Sequence, residues 1–142
     1  MTLDPYDLQR FITAQATTFD AALAELKTGR KRSHWMWFIF PQMKGLGHSP
    51  TAQFYGITGL DEARDYLAHP VLGPRLEAVT QAVLAHPGRT LNEIFGAPDD
   101  MKFRSSMTLF DLAFGRPDNP YRQALETFSG GRLDGATLAL LG

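Results

Sequence analysis

Ser33-His34-Trp35-Met36-Trp37-Phe38-Ile39-Phe40-Pro41-Gln42-Met43-Lys44-Gly45-Leu46-Gly47 contains both tryptophans of a 142-residue chain. The apolar run from Trp35 to Phe40 decides the fold. Aromatic residues favour strands, yet neither its length nor its period separates a buried strand from a buried helical turn. Taken locally, the run leans to strand. No other segment offers it a partner, and a lone strand would leave its backbone N–H and C=O groups unpaired. Consistency along the chain therefore makes it a buried helical segment. The fold class is all-α, a compact single domain of about seven to nine short helices.

Working outward, Asp4-Pro5 has the form of a helix start, a capping carboxylate ahead of a proline, and Leu8, Phe11, Ile12 and Gln15 follow at helical spacing. Thr18 precedes a helix over 19–27, where Phe19, Ala22, Leu23 and Leu26 share a face and Gly29 is the stop. Downstream, Ser49-Pro50 leads into Ala52-Gln53-Phe54-Tyr55, and a helix over 60–67 ends before His69-Pro70. Leu72, Leu76, Val79, Val83 and Leu84 mark a longer helix that closes near His86-Pro87-Gly88. Thr90 and Glu93 have the spacing of a capping box before a short helix over 91–95. Asp99 or Asp100 is placed to cap a helix over 101–114, and helices over 120–128 and 136–141 finish the chain. Gly-rich stretches at 45–47, 56–59, 115–120 and 130–135 read as turns inside one domain, not as linkers.

Composition narrows the function. With 44% hydrophobic and 20% charged residues, and 14 Lys+Arg against 15 Asp+Glu, neither disorder nor broad adhesion to nucleic acid is expected. Cysteine is absent, which excludes disulfides and thiolate chemistry and suits a cytoplasmic setting. The longest wholly apolar run, 35–41, falls far short of the roughly 20 residues of a membrane helix, and no secretory segment opens the chain, so no membrane association is expected. Metal-ligand spacings such as His-x-x-x-His are missing, as is a Gly-x-Ser-x-Gly elbow, so no metal and no cofactor is expected. A monomer is favoured.

Two clusters carry the available chemistry. In the first, burial of His34 beside the tryptophans would disfavour its charged form and suit it to move a proton, although the plainer reading is a histidine that caps or braces the core. Trp35 and Trp37, two positions apart, cannot face the same way on a helix. One of them is core; the other can stack on a ligand ring. Gln42 can satisfy a buried indole N–H or read a polar ligand edge, and Lys44 with its flanking glycines can hold an anion ahead of Ser49-Pro50. The second cluster is Asp99-Asp100-Met101-Lys102-Phe103-Arg104-Ser105-Ser106-Met107-Thr108. On a helix Asp100 faces Arg104 and Arg104 faces Thr108, so one stripe carries an acid, a cation and a hydroxyl. Lys102 and Arg104 are candidates to bind an anionic group, and Asp100 to act as acid or base. The plainer reading is a solvated face with an ion pair.

The strings Asp7-Leu8-Gln9-Arg10-Phe11, Lys31-Arg32-Ser33-His34-Trp35-Met36-Trp37-Phe38-Ile39-Phe40-Pro41-Gln42, Ala52-Gln53-Phe54-Tyr55, His69-Pro70-Val71-Leu72-Gly73-Pro74-Arg75-Leu76 and the 99–110 stretch resemble, in order and spacing, the domain of unknown function 1810 family. The resemblance implies a mainly α-helical, single-domain bacterial protein and brings no agreed catalytic residues. Members sometimes carry the label calpastatin, which a long, disordered, repetitive inhibitor would earn and this chain does not. Polar positions that recur in the family fall on Ser33, His34, Gln42, Gln53, Arg75, Lys102, Arg104 and Ser105, which coincide with the two clusters. The expectation is a shared pocket for a phosphorylated or nucleotide-like molecule, with His34 and Asp100 as candidate catalytic groups. Its binding residues would be Ser33, Trp35, Trp37, Gln42, Lys44, Gln53, Arg75, Lys102, Arg104 and Ser105. The alternative is a protein-interaction module without catalytic activity.

Overall fold

The segment that leans to strand is a single helical turn. In the computed structural model, which describes residues 4–142, Met36–Ile39 forms α3, with Ile39 N–H bonded to Trp35 O and Phe40 N–H to Met36 O, both at 3.1 Å. Trp35, Met36, Ile39 and Phe40 are buried, a helical and not an alternating pattern. Beyond Pro41 the chain does extend, and one residue elsewhere meets it. Ile57 N–H donates to Gln42 O and Lys44 N–H to Ile57 O, each at 2.8 Å, so Met43 and Ile57 form an isolated parallel bridge. The backbone groups that a lone strand would strand are thus paired without a sheet.

The architecture is all-α. The described residues form ten helical segments, seven of them seven residues or longer. Besides α3 they are α1 Gln9–Gln15, α2 Phe19–Lys27, α4 Pro50–Tyr55, α5 Leu60–Ala68, α6 Leu72–Leu84, α7 Leu91–Phe95, α8 Asp99–Phe114, α9 Pro120–Ser129 and α10 Gly135–Leu141. Several ends follow local rules. Ser49 Oγ accepts from Ala52 N–H at 3.1 Å, Thr90 and Glu93 close a reciprocal capping box, and Gly29 ends α2 at φ 81°.

The expected starts of α1 and α8 are corrected. α1 starts at Gln9, not at Asp4-Pro5; the Asp4 carboxylate still caps it, accepting from Leu8 N–H at 2.7 Å and Gln9 N–H at 2.9 Å across a turn. Thr18 stands at the start of α2, but its hydroxyl donates backward to Ala14 O at 2.8 Å. α8 begins at Asp99 behind Pro98, and neither aspartate caps it, because Asp99 is drawn into ion pairs and Asp100 accepts from its neighbour's Met101 N–H.

α8 runs through the middle, packed against α5, α7, α9 and α10. It is buried from Ser105 to Asp111, although its sequence reads polar. Two of its three buried hydroxyls bond within the helix, while Ser106 Oγ is enclosed without a partner among the described residues. Ser105 Oγ donates to Met101 O at 3.1 Å and Thr108 Oγ1 to Arg104 O at 2.9 Å, which leaves no unpaired donor at either position. The Phe40 ring packs edge-on against the stacked rings of Phe95 and Phe103, at 5.8 and 5.1 Å. Each such pair is worth about 0.5–1.5 kcal/mol beyond the area it buries. These contacts fix the aromatic segment against α7 and α8 and so position the candidate site.

Candidate functional site

Glu25, near the end of α2, gathers the start of the aromatic segment. Its Oε1 accepts from the backbone N–H of Arg32 (2.7 Å), that of Ser33 (2.9 Å) and the Trp35 indole N–H (3.0 Å), while Ser33 Oγ donates to Oε2. Burial works against ionisation here, but the Ser33, Arg32 and Trp35 donors outweigh it and hold the carboxyl near 2, down from 4.5. Trp35 is 1% exposed, so it is the core tryptophan of the pair. Its indole is satisfied by Glu25, not by Gln42, which lies buried with Nε2 unpartnered.

Trp37 is half-buried and lines a cavity of about 170 Å³ together with Lys31, His34, Trp35, Thr51, Asp99 and Lys102. A glycine makes room for it: a Cβ on Gly47 would lie 2.8 Å from Trp37 Cη2 and 2.7 Å from Ala52 Cβ. The charged floor comes from two distant parts of the chain. Lys31 Nζ lies 2.9 Å from Asp99 Oδ2 and Lys102 Nζ 3.2 Å from Asp99 Oδ1, with one ammonium 5.0 Å from the Trp35 ring centre and the other 4.6 Å from that of Trp37. Burial would raise the Asp99 carboxyl, but hydrogen bonds from Lys31 and Lys102 and their charges pull it below the usual range. The carboxylate is therefore ionised, and two cations against one anion leave a net positive charge in a partly desolvated site.

Of the expected site residues, Trp35, Trp37, His34 and Lys102 meet in this cavity. His34 is exposed at its rim, so the burial beside the tryptophans that its sequence position suggests is not found. Most of the others are engaged elsewhere. Arg104 turns away from Asp100 and donates to Arg132 O (3.1 Å) and Leu133 O (2.6 Å), because the 130–134 turn presents carbonyls that a half-buried guanidinium needs. Ser105 also bonds Asp134, at 3.0 Å. Asp100 accepts from Met101 N–H and Asn92 Nδ2. Arg75 lies over the Phe19 ring and reaches Gln15 Oε1 at 3.3 Å, and Gln53 braces His48 O at 2.9 Å. Lys44 is exposed beside the Met43–Ile57 bridge, and Ser33 is held by Glu25. Of the polar residues of the second cluster, only Asp99 and Lys102 line this cavity.

Lys31, Thr51 and Asp99 line the cavity without having been singled out as binding residues. The basic run Lys31-Arg32 was the available signal for the first. Nothing local marks Thr51.

A family model described as "Protein of unknown function (DUF1810)" matches residues 5–141. Among solved structures, the conserved hypothetical protein Rv1873 from Mycobacterium tuberculosis is similar, with 51% identity over 97% of this chain and 98% of that one and a TM-score of 0.94. No curated protein matches the sequence.

Proposed function

Since the chain belongs to the DUF1810 family of proteins of unknown function, whose name assigns no activity, we propose from its own geometry that it binds a small anionic molecule in the Trp37–Lys102 cavity. The observation that carries this reading is the uncompensated positive charge of Lys31, Asp99 and Lys102 set against aromatic surface. Lys102 keeps ammonium hydrogens that Asp99 does not use, and the Thr51 hydroxyl has no hydrogen-bond partner among the described residues. Size narrows the ligand. A volume of about 170 Å³ lies below the roughly 300 Å³ of pockets that enclose drug-sized molecules, and Lys102 already covers the Trp37 ring. The cavity suits a phosphate or carboxylate group, not a stacked base.

A neighbouring cleft of about 460 Å³ shares Lys31 and adds Arg30 and Arg89 against one carboxylate, Glu93, which leaves a net positive wall for the remainder of a phosphorylated or nucleotide-like molecule to follow. An interaction surface centred on the aromatic segment has less to rest on, because four of its residues, Trp35, Met36, Ile39 and Phe40, are buried.

The test is a thermal-shift and calorimetric screen of inorganic phosphate, pyrophosphate, nucleotides and sugar phosphates. A ligand at 100 times its dissociation constant should stabilise the protein by about 2.7 kcal/mol. The shift should vanish in Lys102→Ala and weaken with added salt. A panel without any shift, or a shift that Lys102→Ala leaves intact, would overturn the reading.

A further inference from the structure

A second and larger cavity, about 580 Å³, lies between α6, the 115–119 turn and the start of α9, and none of the residues of the basic pocket lines it. Its wall carries three carboxylates on three separate elements, Glu77, Asp118 and Glu126, and no Lys, Arg or His. None of the three makes an ion pair or a hydrogen bond among the described residues. The cations nearest in sequence are engaged: Arg122 holds Asp111 at 3.2 Å, and Arg116 lies 5.2 Å from the Phe114 ring centre without lining the cavity.

Acidic residues alone would be a solvated surface, but Tyr121 points independently to a ligand. It is only 3% exposed, wedged beside Phe110 and Phe114 with ring centres at 5.9 and 6.5 Å, yet it lines the cavity. Its hydroxyl has no hydrogen-bond partner among the described residues and keeps some accessible surface, on a residue that lines the cavity. Burial, reinforced by the charge of Glu77, pushes the phenol well above its usual range, so it stays neutral there as donor and acceptor. The hydroxyl of a largely buried tyrosine ordinarily finds a partner, and here the described residues supply none, which leaves that role to what occupies the cavity.

We infer that this cavity binds a linear aliphatic di- or triamine, whose ammonium groups spread over Glu77, Asp118 and Glu126 while one donates to the Tyr121 hydroxyl oxygen. A metal ion is the poorer fit, because no three acidic or imidazole groups among the described residues gather closely enough to hold one. Carboxylates spread around a cavity of this size match charges spaced along a chain, and the volume falls within the range of small-molecule pockets.

Calorimetry on the full chain with spermidine as probe tests this. One saturable site is expected, weakened at least about fivefold by Glu77→Gln combined with Glu126→Gln. Tyr121→Phe, which keeps the ring packing, should also weaken binding, whereas Asp61→Asn, at a side chain 83% exposed outside the cavity, should not. Magnesium at equal charge should compete poorly. Non-saturating binding, an equal loss in Asp61→Asn, no change in Tyr121→Phe, or full competition by magnesium would each reduce the cavity to a diffuse acidic surface and overturn the proposal.

Discussion

The Lys102 ammonium lies 4.6 Å from the centre of the Trp37 ring, whereas Trp35, two residues earlier, is sealed in the core with its indole N–H on Glu25. The two tryptophans therefore report on different places. In Trp37→Phe, the remaining emission should be blue-shifted and resistant to acrylamide. In Trp35→Phe, the Trp37 emission should be quenched more readily and should change further when Lys102 becomes Met. Steady-state fluorescence of the three variants checks this, and equal quenching of both tryptophans would contradict the assignment.

Lys102 and Arg104 are close in sequence and separate in role. Lys102→Ala should leave unfolding nearly unchanged, because its pair with Asp99 is partly exposed and such pairs are worth about 0–1 kcal/mol. Arg104→Ala should cost about 1.5–3 kcal/mol, since it removes charged hydrogen bonds to the Arg132 and Leu133 carbonyls. Urea unfolding, followed by ligand titration of each variant, separates the two: loss of binding belongs to the first and loss of stability to the second.

Arg10 and Glu62 form the deepest ion pair of the described residues, 2.8 Å apart with side chains 8% and 1% exposed. Glu62 Oε1 also accepts from Thr58 N–H and Oγ1, and Arg10 reaches the Phe54 and Gly56 carbonyls. Removing one partner strands the other, so Arg10→Ala or Glu62→Ala should each destabilise by about 3–5 kcal/mol. The double variant should cost much less than the sum, which a double-mutant cycle in urea measures.

Glu25 gives the fold an acid limit. Its carboxyl is depressed from 4.5 to about 2 in the folded chain, so its contribution is complete above 4.5 and is lost as pH falls toward 2. Midpoints of unfolding measured across that window should fall less steeply for Glu25→Gln than for the parent. Trp35 fluorescence should shift with them, because protonation of Glu25 loosens the anchor of its indole.

What the sequence made legible was local. Ser49 and Thr90 cap the helices that follow them because their partners lie three residues on, and the 35–40 run resolves to helix because no strand exists among the described residues to pair with it. The failures share a distant competitor. Asp99 stands where a cap would, but Lys31, on another part of the chain, takes its carboxylate. Arg104 has the spacing to meet Asp100, yet carbonyls of residues 132 and 133 offer it more. Glu25 carries no motif at all and still decides the Trp35 environment, because its four donors come together only after α2 has folded against the 32–35 turn.

The Met43–Ile57 bridge closes a neck of two short hydrogen bonds around everything from Lys44 to Gly56, including α4. The neck is not that excursion's only tie: the Tyr55 ring lies 5.3 Å from that of Phe38 and 5.8 Å from that of Phe11, and Arg10 donates to the Phe54 and Gly56 carbonyls. Because the same excursion carries Gly47 and Thr51 against Trp37, one wall of the basic pocket hangs on the guanidinium that also pairs with Glu62, so a change at that buried pair should reach the pocket's shape.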